Sequence, residues 1–168
     1  MSIPEIGVQL YSLRRELEAD FERTLRELPE MGFSAVELAR TGERGAEAWR
    51  SALDSAGLRV IGAHVRLEEL EGEWEKYANF QRVLHNRVLV VPAPQKGWEV
   101  AGEADYQETA ERLNRLGARA REEGFAFAYH NHHWEFAPFD ASPAGLCGMD
   151  VLLRETDPQL VSWEFDTA

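Results

Sequence analysis

Four side chains that could bind a metal ion or move a proton lie close together in the stretch FAFAYHNHHWEFAPF, residues 125–139. They are His130, His132, His133 and Glu135. The short apolar run before them predicts a buried strand that opens into a loop. Imidazole and carboxylate groups are the ligands that Zn²⁺, Mn²⁺, Co²⁺ and Fe²⁺ take, whereas Mg²⁺ favours oxygen-rich sites. A bound cation would polarise a carbonyl or hydroxyl group of a substrate, and a histidine or glutamate would move the proton.

Further polar side chains lie at the ends of other predicted strands, where a parallel α/β fold builds its sites. The polar residues of these strands are Gln9, Tyr11, Glu37, His64, Glu164 and Asp166. Because side chains alternate along a strand, His130 and His132 share one face, and His133 is assigned to the loop. Taken singly, these residues have ordinary explanations: Glu37 could pair with an arginine, and His64 could be a hydrogen-bonded core histidine. Similarly, His133 could be loop surface, and Glu164 could face a helix.

The strands that carry these residues alternate with helices. Strands are predicted over residues 5–11, 35–39, 59–65, 87–92, 125–131 and 160–166, and helices over residues 20–31, 45–56, 67–84, 103–124 and 150–156. Successive strands begin about 31 residues apart, the size of a βαβ unit, which predicts parallel pairing. A complete eight-fold barrel needs roughly 250 residues. We therefore expect one α/β domain over residues 1–168, of (β/α) TIM-barrel type, with about six of the eight β/α units.

Composition narrows the classes of function. The 168 residues carry a formal net charge of −12, which is unfavourable for a protein that binds the phosphate backbone of nucleic acids. Cys147 is the only cysteine, so neither an intrachain disulfide nor a cysteine zinc cluster can form. The first residues do not have the pattern of a secretory signal, and the longest apolar run is too short to cross a bilayer. A soluble cytoplasmic protein without membrane or nucleic-acid partners is expected.

With these motifs, the sequence resembles the xylose isomerase-like TIM-barrel superfamily of sugar phosphate isomerases and epimerases. The matching segments are IGVQLYSLR (6–14), GFSAVELA (32–39), AHV (63–65), YHNHHWEF (129–136) and LLRETDPQLVSWEFDTA (152–168). The resemblance implies a divalent metal ion (Mn, Zn, Co, Fe or Mg) and proton transfer next to a carbonyl of a sugar or inositol derivative.

The resemblance also implies roles for individual residues. Asp166 would be a metal ligand, and Glu135 would bind either the metal or substrate hydroxyls. His132 and His130 are the catalytic candidates, and Gln9, Tyr11, Glu37 and His64 are the candidates for binding a sugar or polyol substrate.

This sequence departs from the family pattern after Asp166, because family members have further metal ligands on a seventh and an eighth strand. The expectation is a fragment, a truncated product or a barrel that another chain closes. Homo-oligomers could then form through the open sheet edges, because exposed strand edges favour association. Two alternatives to the isomerase stay open. One is a catalytically incomplete remnant that binds a sugar-like ligand or only self-associates, and the other is a DNA repair enzyme of the endonuclease IV type.

Overall fold

The computed structural model describes residues 6–94, 102–139 and 145–167. The strands are β1 (Gly7–Gln9), β2 (Ala35–Ala39), β3 (Arg59–His64), β4 (Val88–Val91), β5 (Ala126–His130) and β6 (Ser162–Glu164). The helices are α1 (Arg14–Ala19), α2 (Phe21–Glu30), α3 (Ala46–Ala56), α4 (Leu67–Val83), α5 (Glu103–Glu122) and α6 (Gly148–Glu155). A 3₁₀ turn, Trp134–Phe136, follows β5. Each predicted strand and helix has a counterpart, and the predicted α/β fold of six strands that alternate with helices is confirmed.

The helix ends follow from local chemistry. Asp20 caps α2, since its side chain accepts a hydrogen bond from the Arg23 N–H at 3.1 Å. Gly57 ends α3 with a φ of 68°, a left-handed conformation that glycine adopts without steric cost. Pro29 lies in the last turn of α2, as predicted. Helix α1 was not predicted, because its six residues bury no side chain and begin without a side-chain cap.

The chain forms two compact units. The first comprises residues up to 64 together with 75–88, and the second comprises residues 65–74 and those from 89 onward. Helix α4 has a kink at Glu73, whose φ of −133° is not helical. The expectation of one domain over residues 1–168 stays a prediction.

In the first unit, β1, β2 and β3 adjoin in that order and pair in parallel. The register places Gln9 beside Glu37 and Glu37 beside Gly62, with an irregularity between Val36 and Glu37. The predicted first strand began at Glu5, which lies outside the described residues. The core of this unit includes Leu10, Leu25, Val36, Leu38, Trp49, Leu53 and Leu84.

In the second unit, β4, β5 and β6 adjoin in that order, and β5 pairs with β6 in parallel. The Val65 N–H donates to the Val90 carbonyl at 2.9 Å, as in neighbouring strands. The predicted apolar stripe of α5 is buried at Leu113, Leu116 and Ala120. No helix within the described residues has both the length and the apolar composition needed to cross a membrane.

Candidate functional site

Each unit holds a group of polar side chains at the carboxyl ends of its parallel strands. In the first unit, Gln9 and His64 are the last residues of β1 and β3, and Glu37 lies in β2. We call these three residues the β1–β3 group. In the second unit, His130 and Glu164 are the last residues of β5 and β6, and Asp166 follows two residues later. We call these three residues the β5–β6 group.

The β1–β3 group is joined by short polar contacts. The Gln9 Nε2 donates to Glu37 Oε2 at 2.8 Å and lies 3.3 Å from His64 Nε2. His64 Nε2 is also 3.1 Å from Glu37 Oε2. The Glu37 and His64 side chains are only 12 % and 8 % exposed. A buried carboxylate is costly unless it accepts hydrogen bonds, and here a glutamine and a histidine fill that role instead of an arginine.

Gly62 gives the Glu37 carboxylate its space. A Cβ atom at position 62 would lie 2.7 Å from Glu37 Oε1, closer than van der Waals contact allows. The backbone irregularity between Val36 and Glu37 sets this register, in which Glu37 lies beside Gly62. A larger residue at position 62 would therefore require the Glu37 carboxylate to shift.

Tyr11, predicted to bind substrate, lies just beyond β1. Its side chain is 39 % exposed. The guanidinium carbons of Arg14 and Arg40 lie 4.4 Å and 5.1 Å from the centre of its ring. The ring is thus accessible at the end of the strand and is in contact with two cations.

The β5–β6 group has a different geometry. His130 Nδ1 lies 3.6 Å from Glu164 Oε2, and His130 Nε2 lies 3.6 Å from Asp166 Oδ2. The imidazole is thus flanked by two carboxylates, one on each ring nitrogen. The histidine side chain is 11 % exposed, whereas those of Glu164 and Asp166 are 34 % and 35 % exposed. Both distances exceed hydrogen-bond length.

This donor set, one imidazole and two carboxylates, suits a divalent cation in its chemistry. A single ion can bind only one nitrogen of a given imidazole. If an ion bound Nε2 together with Asp166, Glu164 would remain on Nδ1, where a carboxylate orients a metal-bound histidine and raises its basicity. In this geometry Asp166 could therefore bind an ion, and Glu164 could orient the His130 ring.

Asn131 holds the backbone at Asp166. Its Nδ2 donates to the Asp166 carbonyl at 3.0 Å, and its Oδ1 accepts from the Asp166 N–H at 3.1 Å. Asn131 is 2 % exposed. The side-chain amide thus replaces a backbone partner just beyond the ends of β5 and β6, and it fixes where the Asp166 side chain begins.

Glu135, predicted to bind metal or substrate, is fully buried in the 3₁₀ turn after β5. Its Oε1 accepts from the Tyr129 hydroxyl at 2.6 Å, and its Oε2 accepts from the His132 N–H at 2.7 Å. Burial, followed by the charge of Glu135, raises the pKa of Tyr129 well above its ordinary value of 10.0. The same two causes raise the pKa of Tyr106 to about 12. The prediction of ligand binding by Glu135 stays untested, but both of its oxygens already accept hydrogen bonds.

The remaining histidines of the stretch differ in their surroundings. The His132 ring stacks on Trp134, with centroids 4.0 Å apart and planes 15° apart, and meets His130 edge to face at 4.8 Å. His133 is exposed and contacts the edge of Trp134. Strand β5 ends at His130, so His132 lies beyond the strand on whose face it was predicted. Its ring nevertheless contacts that of His130. Sequence reasoning missed Asn131 and Tyr129, although both lie inside the YHNH motif.

Comparison with known proteins identifies the fold. No family model matches the sequence. An inosose dehydratase from Lacticaseibacillus casei is 27% identical over 171 residues, which cover 89% of this chain and 55% of that protein. A sugar phosphate isomerase/epimerase from Parabacteroides distasonis superposes with a TM-score of 0.83 at 24% identity, covering 99% of this chain and 66% of that one. A xylose isomerase-like TIM-barrel protein from Mycobacterium smegmatis, solved with magnesium, gives a TM-score of 0.57 at 15% identity, covering 85% of this chain and 55% of that one.

The fold is that of the xylose isomerase-like TIM barrels. The resemblance noted in the sequence is thus confirmed for the fold, over nearly the whole chain. The chain spans about half the length of the curated relatives that it matches. Its six strands correspond to six of the eight in a complete xylose isomerase-like barrel.

Proposed function

We propose that this protein is sugar phosphate isomerase/epimerase-like and catalyses metal-assisted proton transfer next to a carbonyl of a sugar or inositol derivative. The observation that carries the proposal is the β5–β6 group, in which His130 lies 3.6 Å from a carboxylate at each ring nitrogen. Such a group at the carboxyl ends of parallel strands has the placement and the donor types of a barrel active site. The relatives described as inosose dehydratase and sugar phosphate isomerase/epimerase support a sugar-modifying function.

The cation would be held by His130 Nε2 and the Asp166 carboxylate, with Glu164 orienting the ring through Nδ1. A divalent ion bound there would supply polarisation of the substrate carbonyl. The predicted metal role of Asp166 is kept. His130, predicted from the sequence as a catalytic residue, becomes a metal ligand in this proposal because each of its nitrogens faces a carboxylate.

His132 is assigned the proton transfer. Its ring is half-buried against Trp134, and its backbone N–H is held by Glu135 at 2.7 Å. The imidazole would take a proton from the carbon next to the carbonyl and return it to that carbon or to its neighbour. Glu135 thereby acts as a positioning residue, since both of its oxygens are engaged by Tyr129 and His132.

The β1–β3 group is assigned to substrate hydroxyls. Gln9 and His64 each offer groups that can donate or accept, and Glu37 fixes their orientation. Tyr11 would contribute its exposed ring at the end of β1. A cytoplasmic location, the absence of nucleic-acid partners and homo-oligomers formed through sheet edges stay predictions from the sequence.

Two measurements on metal-depleted protein test the proposal. The first titrates Mn²⁺, Co²⁺, Zn²⁺ and Mg²⁺ by calorimetry. The second follows deuterium incorporation next to the carbonyl of fructose, psicose and inosose by NMR in heavy water. We expect binding of at least one ion and ion-dependent exchange of at least one substrate. Asp166→Asn should lower metal affinity and exchange by about a hundredfold, the scale expected for disruption of a metal site.

Matched variants separate the roles within the β5–β6 group. Glu164→Gln should weaken metal binding by about tenfold if Glu164 only orients His130. Asp54→Asn, which removes an exposed carboxylate paired with Arg50, should leave both measurements unchanged. Absence of ion binding and of exchange in the unmodified protein would contradict the proposal and favour the ligand-binding or assembling alternative. Exchange that survives Asp166→Asn would reject the assignment of Asp166.

A further inference from the structure

Two arginines converge on the exposed ring of Tyr11 in the first unit. Arg14 is the first residue of α1, and Arg40 follows the last residue of β2. Their guanidinium carbons lie 4.4 Å and 5.1 Å from the ring centre. Arg14 also donates from Nη1 to the Tyr11 carbonyl at 2.8 Å, which fixes its side chain at the end of β1.

These arginines differ from others in a strongly acidic chain. The sequence has 30 acidic and 18 basic residues, so an exposed arginine can readily find a carboxylate. Arg23, Arg50, Arg112 and Arg154 each pair with one. Within the described ranges, neither Arg14 nor Arg40 has a carboxylate at ion-pair distance. The two positive charges therefore lie beside the same ring, although like charges repel. An anion bound there could interact with both.

The backbone at Arg40 is strained in addition. Its φ of 56° is left-handed, a region that residues with a Cβ adopt at a cost and that glycine adopts readily. Strained residues of this kind cluster at ligand-binding positions, where the surrounding structure holds them. Arg40, the residue in this conformation, is one of the two whose guanidinium group contacts the Tyr11 ring.

We infer that Arg14, Arg40 and Tyr11 form a binding position for an anionic group, a phosphate or a carboxylate, carried by the substrate. The inference rests on the proposed function and narrows its substrate class to sugar phosphates or sugar acids. Guanidinium groups bind phosphate and carboxylate oxygens with paired, charge-assisted hydrogen bonds. Tyr11 follows Gln9 by two residues, which limits their Cα separation to about 7 Å. One small substrate can therefore reach both the anion position and the hydroxyl-binding β1–β3 group.

The test measures anion binding directly, without turnover. Inorganic phosphate, fructose-6-phosphate and fructose are titrated by calorimetry at low ionic strength, and the Nε–H signals of Arg14 and Arg40 are followed by NMR. We expect both phosphates to shift the two arginine signals, and fructose-6-phosphate to bind at least about tenfold more tightly than fructose. Arg14→Gln and Arg40→Gln should each weaken the binding of fructose-6-phosphate by about tenfold.

Two further variants serve as controls. Arg15→Gln removes the same charge from the neighbouring exposed position and should leave affinity within about twofold, because a surface charge far from a contact acts only weakly. Arg40→Gly relieves the left-handed strain, so its melting temperature should equal or exceed that of the unmodified protein while anion binding falls. Loss of anion binding in Arg40→Gly could then not be attributed to misfolding.

Specific outcomes overturn the inference. Equal affinity for fructose and fructose-6-phosphate would do so, as would an Arg15→Gln effect as large as that of Arg40→Gln. Turnover of neutral sugars that is unaffected by Arg40→Gln would refute the inference and leave the proposed function standing. Phosphate binding through Arg14 and Arg40 without proton exchange on any substrate would refute the proposed function and leave the anion position standing.

Discussion

The β1–β3 and β5–β6 groups occupy equivalent strand ends, yet they are held in different ways. In the first, Gln9, Glu37 and His64 lie 2.8–3.3 Å apart. In the second, the nitrogens of His130 lie 3.6 Å from two carboxylates that are about three times as exposed as Glu37. One group consists of short contacts between its own members. The other is spaced more widely, and Asn131 fixes its backbone at Asp166.

This difference predicts that the two groups contribute unequally to the stability of the fold. Buried polar groups that satisfy one another contribute to stability and lose it when one member is removed. In the β5–β6 group the two carboxylates lie 3.6 Å from the His130 nitrogens and are more exposed than Glu37, so these ion pairs should contribute less to folding. We therefore expect substitutions in the β1–β3 group to affect stability most, and substitutions in the β5–β6 group to affect function most.

The largest effect is expected for Glu37→Ala. Removal of this carboxylate leaves Gln9 and His64 without their shared partner in a buried place, and we expect a loss of about 3 kcal/mol in the free energy of unfolding. The matched change Asp166→Ala should alter that free energy by less than about 0.5 kcal/mol, because the side chain is partly exposed. Urea denaturation followed by circular dichroism measures both. Equal losses for the two variants would remove the distinction between the groups.

A smaller effect is expected for Gly62→Ala, because it crowds the Glu37 side chain but leaves the carboxylate in place. The added Cβ would meet Glu37 Oε1 at 2.7 Å, so the carboxylate or the strand must shift. Such overpacking costs about 2 kcal/mol. Gly72→Ala in α4 is the control, since a Cβ there meets nothing within 4 Å. Urea denaturation should show a loss for the first variant alone. If both variants keep full stability, the Glu37 carboxylate is not as confined as the contacts indicate.

Much of this fold could be predicted because it is encoded locally. Strand β2 and the end of α3 matched to the residue, because an apolar run and a left-handed glycine mark them directly. Alternation along the strands also predicted that Glu37 and His64 lie on the polar face of their own strands, and both belong to the β1–β3 group. Helix α1 was missed because its six residues include one large apolar side chain, Leu17, and therefore give no periodic apolar signal.

The partners within each polar group could not be predicted from alternation. Glu135 lies in a 3₁₀ turn, where the two-residue period of a strand no longer applies. Its hydrogen bond with Tyr129, which lies on the other face of β5 from His130, could therefore not be predicted. Asn131 was overlooked because its two hydrogen bonds run to the backbone at Asp166, 35 residues away. Such contacts depend on which strands are neighbours and on where each strand ends. The sequence of one segment determines neither of these.

The smallest effect is expected for Glu71→Gln in the second unit, which sets a baseline for polar contacts at the surface. Glu71 pairs with Arg112 through two hydrogen bonds of 2.9 Å and 2.7 Å between α4 and α5. Since the pair is partly exposed, its loss should cost only about 0.5 kcal/mol, and less in high salt. Glu122→Gln, an exposed change on α5, is the control. The comparison uses urea denaturation at low and high salt.

The pH dependence of this pair has a definite sign. The hydrogen bond from Arg112 holds the pKa of Glu71 below its ordinary value of 4.5. At a pH near the ordinary pKa, the unfolded chain begins to protonate Glu71 whereas the folded protein keeps it charged. The pair therefore stabilises the folded state fully above the ordinary pKa, and this stabilisation is lost as the pH falls through the lowered pKa. Glu71→Gln should thus differ from the unmodified protein at neutral pH and converge with it in acid. If Glu71→Gln lowers the free energy of unfolding as much as Glu37→Ala does, burial does not explain the stability of the β1–β3 group. The difference between the β1–β3 and β5–β6 groups must then rest on charge alone.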